Sequence, residues 1–390
     1  MINDVDVAVI GAGIHGAGAA QAAAAAGHSV LIVEKTGPAA GTSSRSSKLI
    51  HGGLRYLETL QFDLVRESLQ ERRLLLRNAP GLVRRVPFLI PVYPHTRRRP
   101  WQIGIGLACY AALGGFGADN RFGVLSRGER ANFAGLRQDG LQAVFTYFDA
   151  QTDDARLTRA VLDSAIALGA RLLAPAKLTH ARRATGGYRL AIATPDGMFE
   201  CRAACVINAA GPWIDRVQTL AEPALPPLSI DRVQGTHLIF DRPIADAVFY
   251  VEARIDHRPV FVMPWQGGTL IGTTETLFTG DPDAVTPLES EIAYLATTLK
   301  DYFPAYDGRL TGTMAGLRVL PRDDTHASHR SRETLLPVDD PARPRWLAIV
   351  GGKLTAYRAT AAKAMALLAP SLPHRPPVAD TRTLRLAVPD

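Results

Sequence analysis

Cysteine is scarce in this chain. Only Cys109, Cys201 and Cys205 occur among 390 residues. Three thiols cannot build the disulfide framework that small secreted scaffolds depend on, and they fit a reducing compartment. Cys201 and Cys205 lie four apart in a predicted strand, with no cluster of histidines or further cysteines to join them. They read as buried thiols, and no metal site is expected. Aromatic residues amount to 7% and interleave with no basic stripe, and no recognition-helix pattern is present. Nucleic acid is therefore not an expected partner, although the net charge of +7 favours anionic ones. No secretory leader is expected: MINDVDVAVIGAG has no basic stretch ahead of an apolar run and goes directly into a predicted strand. One uncharged stretch, WQIGIGLACYAALGGFGA at 101–118, follows Arg97, Arg98 and Arg99. It approaches the lower limit of about 17 residues for a spanning helix. Its five glycines and Gln102 weaken that reading and favour a buried domain segment or an interfacial one.

What remains is a globular composition, 47% hydrophobic and 21% charged, long enough for two or three domain-sized units. DVAVIGAGIHGAGAAQAAAAAGHSVLIVEK has the form of a βαβ unit, with Gly27 at the helix end. A helix is expected over 62–79, stopped by Pro80-Gly81, and a second over 153–170. The section 87–140 reads as irregular. RLLAPAKLTHARR, YRLAIAT and MFECRAACVINAAG read as successive strands, as do THLIF, PVFVMPW and TLIGTTE. LAIVGGKLTAYRATAAKAMALLA reads as strand, double glycine, helix. His326 and His329, after Asp323-Asp324, read as a solvated polar loop, and the proline-rich tail 371–390 as loosely held.

Gly11, Gly13 and Gly16 form G-x-G-x-x-G between the first strand and the first helix. The first glycine makes the tight turn, the second admits a pyrophosphate to the backbone, and the third lets helix and strand pack closely. The helix N-terminus offers free N–H groups to the phosphates. Glu34 ends the second strand, where a carboxylate can accept ribose hydroxyls. Both NAD and FAD use this arrangement. Two later features favour FAD: the strand running into Ala209-Ala210-Gly211, and LAIVGGKLT, which aims another helix N-terminus at the same cleft, where it can stabilise the anion of a reduced flavin.

With these motifs in place, the chain resembles the FAD-dependent glycerol-3-phosphate dehydrogenase family. The resemblance is carried by VIGAGIHGAG, TSSRSSKLIHGGLRYLE at 42–58, DDARL at 153–157, NAAGPW at 208–213, GTHLIF, FVMPW, IGTTE at 271–275, GLRVLPRDD at 316–324 and VGGKLTAYR at 350–358. They occur in the family's order over roughly the first 365 residues, and the family's C-terminal helical domain has no counterpart here. The implied fold is α/β: a Rossmann-like FAD-binding domain of the glucose-oxidase and D-amino-acid-oxidase type, with an inserted antiparallel-sheet substrate domain. The implied division is 1–90, 148–218 and 336–370 for FAD, 91–147 and 219–335 for substrate, and 371–390 as a tail.

By the same resemblance, Ile14, His15 and Lys35 join the fingerprint glycines and Glu34 around the cofactor. Thr42, Ser43, Ser44 and Ser47 run along its phosphates and ring edge. Lys48, Leu49, Ile50 and His51 pass beside the flavin, and Gly52-Gly53 approach its face. Ala210, Gly211, Trp213, Gly351, Gly352, Lys353, Leu354 and Thr355 complete the set. Arg55, Tyr56, Arg318 and Lys353 are the implied substrate contacts. Arginine's planar fork suits a phosphate dianion, and Lys353 can face either that phosphate or the flavin. The implied reaction passes a hydride from C2 of sn-glycerol 3-phosphate to flavin N5, giving dihydroxyacetone phosphate. A histidine suits the accompanying loss of the hydroxyl proton. His237 is preferred and His51 is the alternative. The family implies a quinone-type acceptor and a cytoplasmic location, peripheral at the inner face of the membrane. Arg84, Arg85 and Arg97 to Arg99 beside apolar residues suit weak contact with an anionic lipid surface. Two other readings stay open: a related flavoprotein acting on another small anionic hydroxy or amino compound, and a flavin-binding protein without turnover.

Overall fold

A computed structural model describes residues 4–115, 117–133, 135–322 and 333–389. Among these, the helices are α1 (Ile14–Ala25), α2 (Phe62–Asn78), α3 (Pro100–Leu113), α4 (Arg127–Arg130), α5 (Asp154–Ala167), α6 (Ile214–Gln218), α7 (Glu289–Tyr302) and α8 (Tyr357–Leu368). The strands gather into one sheet of eight and one of ten, and the fold is α/β.

The strand Asp4–Ile10 is apolar at nearly every position because it is buried on both faces. It pairs in parallel with Val30–Val33 on one side and Gly197–Asn208 on the other, and Trp346–Ala348 pairs in parallel with Gly197–Asn208. Alanines line α1, so it lies close against α5 and α8 over one face of this sheet. The other face packs around Tyr188, Leu190, Ile192 and Trp346. In the second sheet, Ile230–Phe240 lies between Leu310–Pro321 and Gly268–Gly272, all antiparallel. Antiparallel pairing dominates this sheet, but Val248–Glu252 runs parallel to Val83–Val92.

The section expected to be irregular holds the ten-residue strand Val83–Val92, paired with Ala143–Thr152 along its whole length. Pro87 and Pro91 share one parity, so their missing donors fall on one side of the strand and leave the other side intact. The same section holds α3, which opens with Pro100 at its first position, where a proline costs no hydrogen bond. This helix is half-buried: Leu107, Tyr110 and Ala111 face inward, while Trp101 is 66% and Ile105 56% exposed. No helix among the described residues is long and apolar enough to cross a membrane.

The helix expected over 153–170 begins one residue later, with Asp153 as its cap accepting from Arg156 N at 3.0 Å. The strand expected across 171–183 is two, Arg171–Leu173 and Lys177–Ala184, because Pro175 interrupts the ladder. The tail is docked rather than loose. Val378 N donates to Ala25 O and Leu386 N to Asn78 O, both at 2.8 Å, and the Leu386 side chain is buried. Both acceptors are last-turn carbonyls of α1 and α2, which have no partner within their own helices. Asp323, Asp324, His326 and His329 lie outside the described residues.

Candidate functional site

A cleft of about 950 Å³ opens at the C-terminal ends of the parallel strands, at the upper end of the range for small-molecule sites. Gly11 sits at φ +106°, and a Cβ there would come within 2.7 Å of Ala209 O. A Cβ on Gly16 would come within 1.9 Å of Gly11 O, so this turn tolerates no side chain. Gly11, Gly13, Ile14, His15, Glu34, Lys35, Thr42, Ser43, Ala210, Gly211, Trp213, Arg318, Gly351, Gly352 and Leu354 all line the cleft. Gly16 lies beneath the turn.

The Glu34 carboxylate does more than face the cleft. One oxygen accepts from Ala12 N at 2.7 Å, inside the glycine turn, and the other from Thr36 N at 2.9 Å. Lys35 bonds Asp283 at 2.5 Å and lies 3.6 Å from the centre of the Trp213 ring, and the Trp213 indole donates to Asp283 at 3.1 Å. Asp283 thus reaches back from the loop ahead of α7 to the cofactor side of the cleft.

Thr42 to Ser44 form a short 3-10 turn at the cleft wall. Ser43 Oγ accepts from Ile14 N at 2.9 Å, and Thr42 Oγ1 donates to Leu317 O at 2.7 Å. The segment then turns inward. Asp154, fully buried at the start of α5, accepts from Ser46 N at 2.9 Å, from Ser46 Oγ at 2.7 Å and from Lys48 Nζ at 2.5 Å. Burial pushes the Asp154 carboxyl above its usual range, and Lys48 opposes that shift. Lys48 is thereby an ion-pair partner in the interior, and its backbone has φ +60°. Leu49 and Ile50 are buried in a short pairing with Gln151 and Ala150. A signal for Asp154 was present in the doubled Asp153-Asp154: one carboxylate caps the helix, and the second must find another partner.

Beyond this segment the chain assembles a second cluster. Thr355 Oγ1 accepts from His51 N at 3.2 Å, and Lys353 Nζ stands 3.8 Å from the centre of the Tyr56 ring. The double glycine ahead of α8 therefore carries Lys353 and Thr355 onto the His51–Tyr56 stretch, some 300 residues away in sequence. Gly52 N donates to Tyr110 Oη at 2.7 Å, and Tyr110 in turn donates to buried Asp149, which also holds Arg72. Phe261 lies 6.2 Å from His51 and 5.3 Å from Tyr250, centre to centre. Asp149 and Tyr250 carry no motif and nothing in the sequence singled them out, whereas Phe261 opens the FVMPW stretch. None of His51, Arg55, Tyr56, Lys353, Thr355, Ser44, Ser47, Lys48, Leu49, Ile50, Gly52 or His237 borders the large cleft itself.

His237 lies under Ser47, whose Oγ is 2.9 Å from its Nε2, and a Cβ on Gly272 would strike its ring. It is 2% exposed, and burial, aided by Arg318 and Lys48, lowers its pKa to about 3. Arg318, across the ladder from Val233, donates to Glu275 at 2.8 Å and to Thr274 O at 2.6 Å.

The glycine cradle, the helix N-termini and the elongated cleft fit a dinucleotide, and the second glycine-helix element suits its flavin end. A glycerol-3-phosphate dehydrogenase of Pseudomonas tolaasii is 38% identical over 94% of this chain and 71% of its own length. A D-erythritol 1-phosphate dehydrogenase of Brucella abortus is 35% identical over 92% of this chain and 72% of its own. The chain also superimposes on the FAD complex of a glycerol-3-phosphate dehydrogenase from Bacillus halodurans with a TM-score of 0.75 and 27% identity, over 98% of this chain and 68% of that one. The model of the DAO family, FAD dependent oxidoreductase, matches residues 6–358, and the chain belongs to that family of FAD-dependent enzymes.

Proposed function

We propose that the protein oxidises sn-glycerol 3-phosphate to dihydroxyacetone phosphate. Bound FAD supplies the two-electron acceptor. The observation that carries this reading is Lys353 standing over Tyr56, next in the chain to Arg55, on the segment that leaves the cofactor cleft. The Arg55 guanidinium makes no hydrogen bond or ion pair among the described residues, so its fork is available to a phosphate. Arg318, steadied by Glu275 and Thr274, is the second proposed phosphate cation. For the proton on the C2 hydroxyl, burial supports His51 over His237. His51 is half-buried beside Phe261, whereas His237 is closed off and held by Ser47. His237 then stays neutral and keeps the loop in place.

The test is turnover with an artificial electron acceptor. Glycerol 3-phosphate should be oxidised and glycerol should not, because the cations find no dianion on it. Equal rates with the two would sink the phosphate requirement. The Brucella relative supports a second reading in which the phosphate is kept and the polyol is longer. A higher kcat/KM for D-erythritol 1-phosphate would decide for it.

The two sheets support dividing the chain into an FAD-binding part (1–90, 148–218, 336–370) and a substrate part (91–147, 219–335), with the strands Val83–Val92 and Ala143–Thr152 of the ten-stranded sheet crossing the boundaries at 90 and 148. We further propose a quinone-type acceptor met at a lipid surface. Exposed Trp101 and Ile105 directly after Arg97 to Arg99 support it, and each cation near anionic lipid contributes about 1 kcal/mol. Vesicle co-sedimentation at low and high salt checks this. Equal binding after Arg97, Arg98 and Arg99 are changed together to Gln would remove the patch from consideration.

A further inference from the structure

Glu291, on the first turn of α7, is 4% exposed and has no part in the reaction described above. Its two oxygens accept five hydrogen bonds. One takes Gln234 Nε2 at 2.6 Å, Thr236 Oγ1 at 2.6 Å and Leu288 N at 3.2 Å. The other takes Thr274 Oγ1 at 2.7 Å and Thr276 Oγ1 at 2.8 Å. These donors lower its pKa against the opposing effect of burial, so the buried group is a carboxylate.

Apart from Leu288 N, the donors come from two segments that pair with each other in the ladder. Gln234 and Thr236 lie on the strand that carries His237 in the next position. Thr274 lies on the turn after Gly268–Gly272, and Thr276 opens the next strand, Thr276–Phe278. Thr274 ties the two together, because its Oγ1 accepts from Thr236 N at 2.9 Å while donating to Glu291. Such a relay through a charged acceptor is stronger than the same bonds taken singly. The opposite side of the turn holds Arg318. Thr273 Oγ1 accepts at 3.3 Å, Thr274 O at 2.6 Å and Glu275 Oε1 at 2.8 Å. Three consecutive residues thus hold the guanidinium, and Glu291 holds the middle one, Thr274, through its hydroxyl.

We infer that Glu291 is a positioning residue for substrate binding: through Thr274 it sets the place of Arg318, and with it the affinity for the substrate's phosphate. This rests on the reading of Arg318 as a phosphate cation. A carboxylate is required because hydroxyl and amide donors converge on both oxygens. Glutamine at this position presents an amide to donors and forces the hydroxyls to turn round.

The experiment measures KM and kcat for glycerol 3-phosphate in the FAD-loaded protein for Glu291→Gln, Thr274→Val, the double variant and Arg318→Ala. Leu295→Ala, which removes a buried apolar side chain of α7 that takes no part in the hydrogen-bond relay, serves as the stability control. Glu291→Gln and Thr274→Val are expected to raise KM about three- to tenfold with kcat within about twofold of the parent. The double variant should be no worse than the poorer single one, because both break one relay. Leu295→Ala should lower the melting temperature with KM unchanged. An unchanged KM in Thr274→Val, or additive effects in the double variant, would overturn the relay even if Glu291→Gln failed to fold. Arg318→Ala separates the two claims. If it leaves KM unchanged, the phosphate role of Arg318 fails and this inference falls with it. If it raises KM while the Glu291 and Thr274 variants do not, only this inference falls.

Discussion

The two ends of the site are built in different ways. At the glycine turn the ligand surface is backbone: Gly11, Gly13 and Gly16 between a buried strand and a helix, closed by Glu34 on Ala12 N. At the proposed far end it is side chains: Arg55, Tyr56, Lys353, His51 and Arg318, of which all but Arg55 meet partners from distant segments. The first kind of site is set by local conformation and tolerates little change in sequence. The second depends on a network whose members sit up to 300 residues apart, and single members can be exchanged at graded cost.

Asp154 joins the two ends and gives the largest expected effect. Asp154→Ala leaves Lys48 buried without its counter-charge and frees Ser46, and breaking a buried pair costs about 3–5 kcal/mol. A melting temperature close to that of the parent, with FAD still bound, would mean that the two ends are independent. Next is the backbone end alone. Gly16→Ala should cost about 3 kcal/mol, because the added Cβ meets Gly11 O, and the purified protein should lose its yellow colour. Acid release and chromatography of the cofactor would check it. At the side-chain end, Arg55→Ala and Arg318→Ala should keep FAD and lose roughly 10- to 150-fold in kcat/KM, from about 1.5–3 kcal/mol per charged contact. Loss of FAD in either variant would erase the distinction between the ends.

The one effect that needs no substitution is a pH dependence that both ends share. Burial lowers the pKa of His15, beside the glycine turn, to about 4 and that of His237 to about 3. The unfolded chain binds a proton at each near the ordinary value of about 6.5, so below that pH it binds more protons than the folded one. Stability is therefore full above about pH 6.5 and falls as the pH drops, by about 2 kcal/mol per histidine between pH 6.5 and 5. Thermal unfolding across that range should show the decline, and His237→Asn should make it shallower. A flat profile in the parent would mean that neither ring is closed off.

The contrast also explains what could be read from the sequence. The glycine fingerprint, Glu34 and the late double glycine stand out because each local conformation demands particular residue types at fixed spacing. Helices α1, α2 and α5 were legible, α1 from its alanine run closed by Gly27 and α2 from its stop at Pro80-Gly81, while the cap at Asp153 emerged only in the fold. The strand Val83–Val92 was hidden because its two prolines, harmless at one parity, resemble breaks. The docking of 371–390 was hidden because it satisfies carbonyls at the ends of α1 and α2, which no pattern in the tail announces. Asp149 and Glu291 were invisible, and Glu275 stood inside IGTTE with nothing to name its partner, because a carboxylate reveals its partners only once the chain is folded.

The central claim is that a phosphorylated polyol reduces a flavin held in this cleft. Mixing the FAD-loaded protein with sn-glycerol 3-phosphate in the absence of oxygen and watching the visible flavin band tests it most directly. Bleaching within the mixing experiment, with dihydroxyacetone phosphate formed in step and no change with glycerol, is the predicted result. A flavin that stays oxidised with phosphorylated polyols but bleaches with an amino acid or a hydroxy acid would contradict it.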